Sequence, residues 1–468
     1  MPVVRSVAAS LLRGPDLAGN ARRTFRFHLA YAVLDAAAGG ILLNAPLVAL
    51  KAFQAANWHL PLRELYSGVG MIASLYLGSW MARRPKMPFV IIPGVIAGIS
   101  AALMATATGS AFWFLTLLGI GAMFEIVIRP PVAAILRLNY PVRHRGHATG
   151  EVRKWSSLSF VASNLLSALV LQLAVKSHSA VAAAQPHAFG GHLWAWSSQH
   201  APQILMVLAA ILGLSGLVCF RQIRVDEDPR EHRYDLKPEI ARSFRDAVGL
   251  VMRDGRYRRY LLGCFADGFC QMLYFPLILA FLSRDLRFGY VGCSALMHAI
   301  PALVAFAVTG ALGNLFDRSN PWVSWAWVRF VWGLDALLLA ATPFYAILFP
   351  PAVVILPVLG RVLRGGVQGG WWIMWWQIGV THFAPPGEDT SRYMGIMVFL
   401  NGTIRLGASA AGMVLVAMAV PPGTLLIVGG LGVMAAGVYS LWQAARERRQ
   451  RLPETMTEFE TQFTKAAQ

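Results

Sequence analysis

Asp35, Glu125, Arg129, Asp267, Arg329, Asp335, Arg361, Arg364 and Arg405 are ionisable residues set within long apolar stretches. A charge in hydrocarbon is costly, so each marks a partner, a pathway or a proton relay. Burial favours the protonated form of a carboxylate, and a nearby arginine restores the charged form. A carboxylate that alternates between a proton and an arginine is therefore a coupling device. Asp35 lies about eight residues into its stretch, roughly 12 Å deep. Arg129 lies at a similar depth, with Glu125 one turn away on the same helical face. Two readings follow. Asp35 is a proton-coupling acid with Arg129 as its switchable partner and Glu125 in reserve, or the charges form a static pair that fixes packing.

The stretch RVLRGGVQGGWWIMWWQIG (361–379) is the most unusual. Arg361, Arg364, Gln368, Trp372 and Trp375 recur at helical spacing and define one polar and aromatic face. Gly365, Gly366, Gly369 and Gly370 permit bending or close packing. Two arginines over indoles suit a ligand with anionic and flat parts. Alternatively the arginines pair with internal acids and the tryptophans pack or sit at an interface belt. Asp267, with Gln271 one turn on, either faces a cavity or neutralises Arg258 and Arg259. Asn401 and Arg405 add a further buried polar pair of positions, and Arg329 with Asp335 reads as a structural pair.

The elements that hold these residues are long and apolar. The chain has 468 residues, of which 56% are hydrophobic, and a mean hydropathy of +0.53. About 20 apolar residues cross a hydrocarbon core as a helix. Runs rich in Gly and Pro without period-2 alternation do not suit a barrel. Twelve spans are expected at roughly 27–50, 62–82, 88–107, 112–138, 153–175, 203–221, 258–281, 291–316, 322–348, 352–380, 393–418 and 423–444. Residues 1–26 lack a signal-peptide apolar run.

The net charge of +18 is distributed by topology. Arg22, Arg23 and Arg26 precede the first span; Arg83, Arg84 and Lys86 follow the second; Arg143 and Arg145 follow the fourth; Arg446, Arg448, Arg449 and Arg451 follow the twelfth. The opposite connections at 108–111, 349–351 and 419–422 carry no basic residue. This asymmetry predicts both termini in the cytoplasm, with a bacterial inner membrane as the location. Anionic lipid, rather than nucleic acid, accounts for the charge.

No other chemistry stands out. Cys219, Cys264, Cys270 and Cys293 form no metal-type pair and read as packing residues. His178, His187, His192 and His200 are irregularly spaced in the connection 176–202, which reads as a solvated loop. The Asn401 acceptor pattern falls inside a span. There is no phosphate-cradling loop, nucleophile elbow or zinc-protease pattern, so neither an enzyme nor a cofactor is expected.

Between 222 and 257 lies the longest polar segment. Ile240, Phe244, Val248 and Val251 oppose Arg242, Arg245 and Asp246, which reads as an amphipathic surface helix or else a loose linker. The sequences on either side repeat. Asp35 with Ala45, Pro46 and Leu47 matches Asp267 with Phe275, Pro276 and Leu277. LGSWMARRPK (77–86) matches LGNLFDRSNP (312–321). Two parallel six-helix repeats are the plan of a rocking transporter.

Gly313 with Asp317 and Arg318, between spans eight and nine, resembles the G-x-x-x-D-R loop of the major facilitator superfamily. Gly78 with Arg83 and Arg84 is its weaker partner, with Ala82 in place of the acid. Gly360, Arg361, Arg364 and Gly365 resemble the family's arginine-containing signature, while the matching arginine is missing around Leu115 in the fourth span. The resemblance covers the whole chain. It implies an all-α membrane protein of twelve helices in two pseudo-symmetric six-helix bundles, with those loops as cytoplasmic gates. Spans one and four then line a central cavity, where Asp35, Glu125 and Arg129 meet. The expected layout is a basic N-terminus (1–26), a first bundle (27–221), a linker (222–257), a second bundle (258–444) and a tail (445–468). The expected function is alternating-access transport of a small organic solute, coupled to protons, by a monomer in the bilayer. The alternative is a non-transporting relative that acts as a sensor, assembly factor or complex partner.

Overall fold

A computed structural model describes residues 17–81, 84–107, 109–183, 189–225, 239–374, 380 and 390–466. Arg83, His187 and Trp375 lie outside them. For Gly78, Gly313, Asp317, Arg318 and Trp372 the backbone alone is described, and it is helical.

Among the described residues the chain is helical throughout, with no strand. Among the described residues nine helices are long and apolar enough to cross a membrane, and Pro88–Met104 is a shorter apolar one. Leu62–Met81 and Ala352–Met374 occupy the second and tenth positions in the order of spans. Large apolar side chains such as Ile92, Leu166, Ile211, Phe344 and Trp442 point outward, as a lipid-facing surface requires.

The first span is broken. Helix Gly19–Leu42 stops, and Ala45–Lys51 restarts with Pro46 in its first turn. The seventh breaks at the matching place: Gly255–Tyr274 runs into a tight turn at Phe275–Leu277, around Pro276. A proline removes one N–H from the ladder and favours such a restart. The repeated proline thus produces the same break in both repeats.

The packing repeats as well. Span 1 packs on 5 and 6, span 2 on 4, and span 3 on 4 and 6. Six spans later, span 7 packs on 11 and 12, span 8 on 10, and span 9 on 10 and 12. The two bundles meet where span 2 lies on 11 and span 5 lies on 8.

Among the described residues, the hydrogen bonds between the bundles sit toward the ends opposite the arginine clusters. Lys51 Nζ, at the end of span 1, donates to Phe288 O, just beyond span 7, at 2.9 Å. Arg284, at the end of span 7, donates to Ala55 O and Asn57 Oδ1, just beyond span 1, both at 2.6 Å. This reciprocity is what a two-fold relation between repeats produces. Gln172 Oε1 accepts from Tyr290 N at 2.8 Å. Buried Asn164 ties three spans together: its Nδ2 donates to Gly40 O at 3.0 Å, its carbonyl accepts from Asn44 at 2.9 Å, and its Oδ1 accepts from Ser294 at 2.6 Å. Polar groups away from water need such partners.

Several boundaries differ from expectation. The helices Val142–Ala183 and Phe189–Arg221 fill most of the connection 176–202, so the expected loop is largely helical. The last helix runs Pro422–Ala466, through most of the expected tail. Its 45 residues reach about 68 Å, roughly twice a hydrocarbon core. Residues 239–253 do form an amphipathic helix, with Leu250 and Val251 turned to the core and Met252 exposed.

Spans 2 and 11 touch backbone to backbone. A Cβ on Gly402 would lie 2.9 Å from Gly68 O, and one on Gly68 would lie 2.7 Å from Gly402 O. Gly402→Ile should therefore force the bundles apart, at about 1–3 kcal/mol. In a background freed of native cysteines, Ser294→Cys, buried at the seal, should be slow to react with a membrane-impermeant maleimide. Adding Gly402→Ile should speed its labelling several-fold.

Candidate functional site

A small, partly open cavity lies in the second bundle, between spans 7, 9 and 11. Asp267, Gln271, Asn401 and Arg405 line it, with Trp325, Trp332 and Met397 as apolar wall. Four residues singled out from sequence thus share one cavity.

Their charges are not free. Asp267 Oδ2 accepts from Arg329 Nε at 2.9 Å, with both side chains almost fully buried. Arg329 also donates to Ala436 O at 3.2 Å and to Ser440 Oγ, and its guanidinium lies 5.1 Å from the Trp325 ring. Asp267 therefore neutralises Arg329 rather than Arg258 or Arg259. The expected Arg329–Asp335 pair is replaced by this one.

Asp335 instead receives span 10. Arg361 Nη2 donates to its Oδ2 at 2.5 Å, and Arg364 Nη1 approaches the same oxygen at 3.4 Å. A Cβ on Gly360 would lie 2.8 Å from Asp335 Oδ1, so a glycine there lets the carboxylate reach the helix. Arg361 is fully buried, and Arg364 stacks over Phe275 at 4.9 Å and Trp332 at 5.9 Å. Both arginines thus pair with an internal acid, one of the two readings the sequence left open, and neither lines the cavity between spans 7, 9 and 11. A buried guanidinium is held by the nearest carboxylate, because unpaired charge in a low dielectric is the dearer state. Gln368, on the same helix, is exposed.

In the first bundle Arg129 pairs with Glu125 at 3.1 Å, one turn apart on span 4. Asp35 makes no ion pair among the described residues; Glu125 and Arg129 are the charges that act on it. The expected Asp35–Arg129 contact is thus not formed in this state, since Glu125 is the closer acceptor on the same helix.

Sequence reasoning missed Glu64. It is buried at the start of span 2 and accepts from Arg405 of span 11, across the two bundles. Arg63 donates to its other oxygen at 3.2 Å. On the register that aligns Gly78 with Gly313, His298 is the counterpart of Arg63. His298 sits in a π-helical turn, Ala295–Ala299, where the charges of Arg63 and Arg361 reach it. The described residues therefore hold two clusters of one carboxylate with two arginines: Glu64 with Arg63 and Arg405, and Asp335 with Arg361 and Arg364. Each carries one excess positive charge.

The Asp267–Arg329 pair generates a stability test. Asp267→Asn or Arg329→Met alone should cost about 3–5 kcal/mol, because the remaining charge is stranded. The double variant should recover more than half of that loss in thermal unfolding in detergent.

Comparison with known proteins follows the same lines. Residues 27–412 match the Major Facilitator Superfamily. A search of curated proteins finds no match. Among solved structures, a mutant of the nucleoside transporter NupG is similar at a TM-score of 0.64 and 13% identity, over 91% of this chain and 98% of that one. PepTSo, a POT family transporter, gives 0.61 and 12%, over 92% and 99%. An inward-facing, occupied bacterial homolog of the human lysosomal transporter Spinster gives 0.57 and 16%, over 90% and 94%. With its paired bundles and this match over most of its length, the chain belongs to the Major Facilitator Superfamily.

Proposed function

We propose that this chain is an alternating-access secondary transporter of a small organic solute, coupled to protons. The observation that carries the reading is the way the bundles meet. Their described contacts run from Glu64–Arg405, which joins the start of span 2 to span 11, to the face that lacks arginines, at Lys51 and Arg284. A cavity opens beside Arg405. Arginine-rich ends face the cytoplasm under the positive-inside rule, which puts the termini and the surface helix 239–253 inside. On that orientation the described contacts lie toward the outer face, which supports a closed outer side. The similar solved structures of nucleoside and peptide transporters agree with a solute as cargo. A bacterial inner membrane and a monomer complete the reading.

Asp35 is the proposed coupling acid. It stands on span 1 without an ion pair among the described residues, while Glu125 holds Arg129 one turn away. A rotamer change of Arg129 exchanges one acid for the other, and the released acid takes a proton. Gly78, Arg83, Arg84, Gly313, Asp317 and Arg318 are the proposed inner gate, where a latch holds in one state and breaks in the other. The non-transporting alternative draws on Ala82 and Leu115, where the family's acid and arginine are absent.

A thermal-shift screen in detergent supplies the solute: a ligand at 100 times its Kd adds about 2.7 kcal/mol. In proteoliposomes with an imposed pH gradient, the parent should accumulate that solute. Asp35→Asn should lose at least tenfold of gradient-driven accumulation and retain counterflow exchange. Accumulation by Asp35→Asn at the parent's level refutes the coupling assignment. Failure of the parent both to accumulate and to exchange favours the non-transporting reading.

A further inference from the structure

The geometry points to Glu64 as a built-in stand-in for the substrate: its carboxylate occupies, on Arg405 and Arg63, the place that an anionic group of the transported solute takes. This inference rests on the transporter reading and names its substrate class, an organic anion with an apolar or aromatic body.

Four observations support it. Arg405 lines the cavity, and its side chain keeps 24% exposure while paired to Glu64 of the other bundle. An incoming anion therefore reaches the same guanidinium. The cluster of Arg63, Glu64 and Arg405 carries one positive charge in excess, and the cluster at Asp335 carries another. Such excess inside a bilayer favours an anion over a neutral or cationic guest. Gln271 Nε2 is a second donor beside the cavity: the residue is 5% exposed and this nitrogen has no hydrogen-bond partner among the described residues. Trp325, Trp332 and Met397 supply the apolar wall for the rest of the ligand.

The consequence is mechanical. Glu64 belongs to span 2 and Arg405 to span 11, and these spans touch backbone to backbone between the bundles. A carboxylate, sulfonate or phosphate that takes Arg405 from Glu64 removes a charge-assisted bond joining the two bundles. Substrate binding from inside then loosens the outer seal, and an empty carrier is held by its own carboxylate. Differential interaction with the two states is what a ligand needs to shift them.

The test uses the full-length protein in detergent with benzoate, benzenesulfonate and phenyl phosphate, and with benzyl alcohol and benzylamine as neutral and cationic arms. At least one anion should bind the parent, and Glu64→Gln should bind it about tenfold more tightly, because the internal competitor is gone. Arg405→Gln should lose at least tenfold. If Glu64→Gln does not fold, the parent alone decides: with Ser294→Cys as the reporter, a saturating anion should raise maleimide labelling several-fold. Unchanged or weaker anion binding by Glu64→Gln overturns the inference, as does a bound anion that leaves labelling unaltered. Binding of benzyl alcohol or benzylamine without any anion also overturns it, while leaving the transporter reading intact. Silence from all five ligands overturns the inference and leaves the transporter reading to the proteoliposome assay.

Discussion

The constraint on which this structure depends is that a guanidinium inside a bilayer must hold a carboxylate. Arg329 holds Asp267, Arg361 and Arg364 share Asp335, Arg129 holds Glu125, and Arg405 shares Glu64 with Arg63. The first two clusters lie wholly within the second bundle and lock its helices to one another. The last joins the bundles. The same interaction is thus structural where both partners ride on one rigid unit, and conditional where they ride on two. Water and solute can reach the conditional one, since Arg405 alone among these paired arginines lines the cavity.

The repeat turns this chemistry into a machine part. Equivalent prolines at 46 and 276 break equivalent spans, and each broken end carries a cation, Lys51 or Arg284, that bonds the main chain of the other bundle. Side chains that bond backbone across an interface make a seal without burying new charge. Such contacts hold through a few hydrogen bonds, each worth about 0.5–1.5 kcal/mol net. A seal of that size suits an element that has two arrangements of similar energy. Glycines 68 and 402 set how closely the bundles approach beside it.

Much of the fold was legible in sequence, because hydrocarbon selects helices and charge asymmetry orders them. The site was legible only in part. Spacing along span 10 placed Arg361 and Arg364 on one face, but periodicity does not say whether that face meets a cavity or a neighbouring acid. Asp335 decides it, through a contact between spans 9 and 10 that no local pattern encodes. Glu64 was overlooked because it sits beside Arg63 at the very start of its span and reads as an interfacial charge. A charge balance could have found it. Arg129, Arg329, Arg361, Arg364 and Arg405 lie deep in the expected spans, against Asp35, Glu125, Asp267 and Asp335. One acid is missing from that set, and Glu64 at the edge of span 2 is the nearest left over. The connection 176–202 misled for another reason: its polar residues disguise helices that continue past the hydrocarbon.

The central claim is that two rigid bundles rock about the contact of spans 2 and 11. Double electron–electron resonance tests it most directly, with one spin-label pair at Gln54 and Arg287 on the sealed face and another at Arg143 and Arg258 on the arginine-rich face. The account predicts two distance populations at each pair, with the sealed-face distance lengthening as the other shortens when solute and proton conditions change. A single unmoving distance at both faces under all conditions would contradict it.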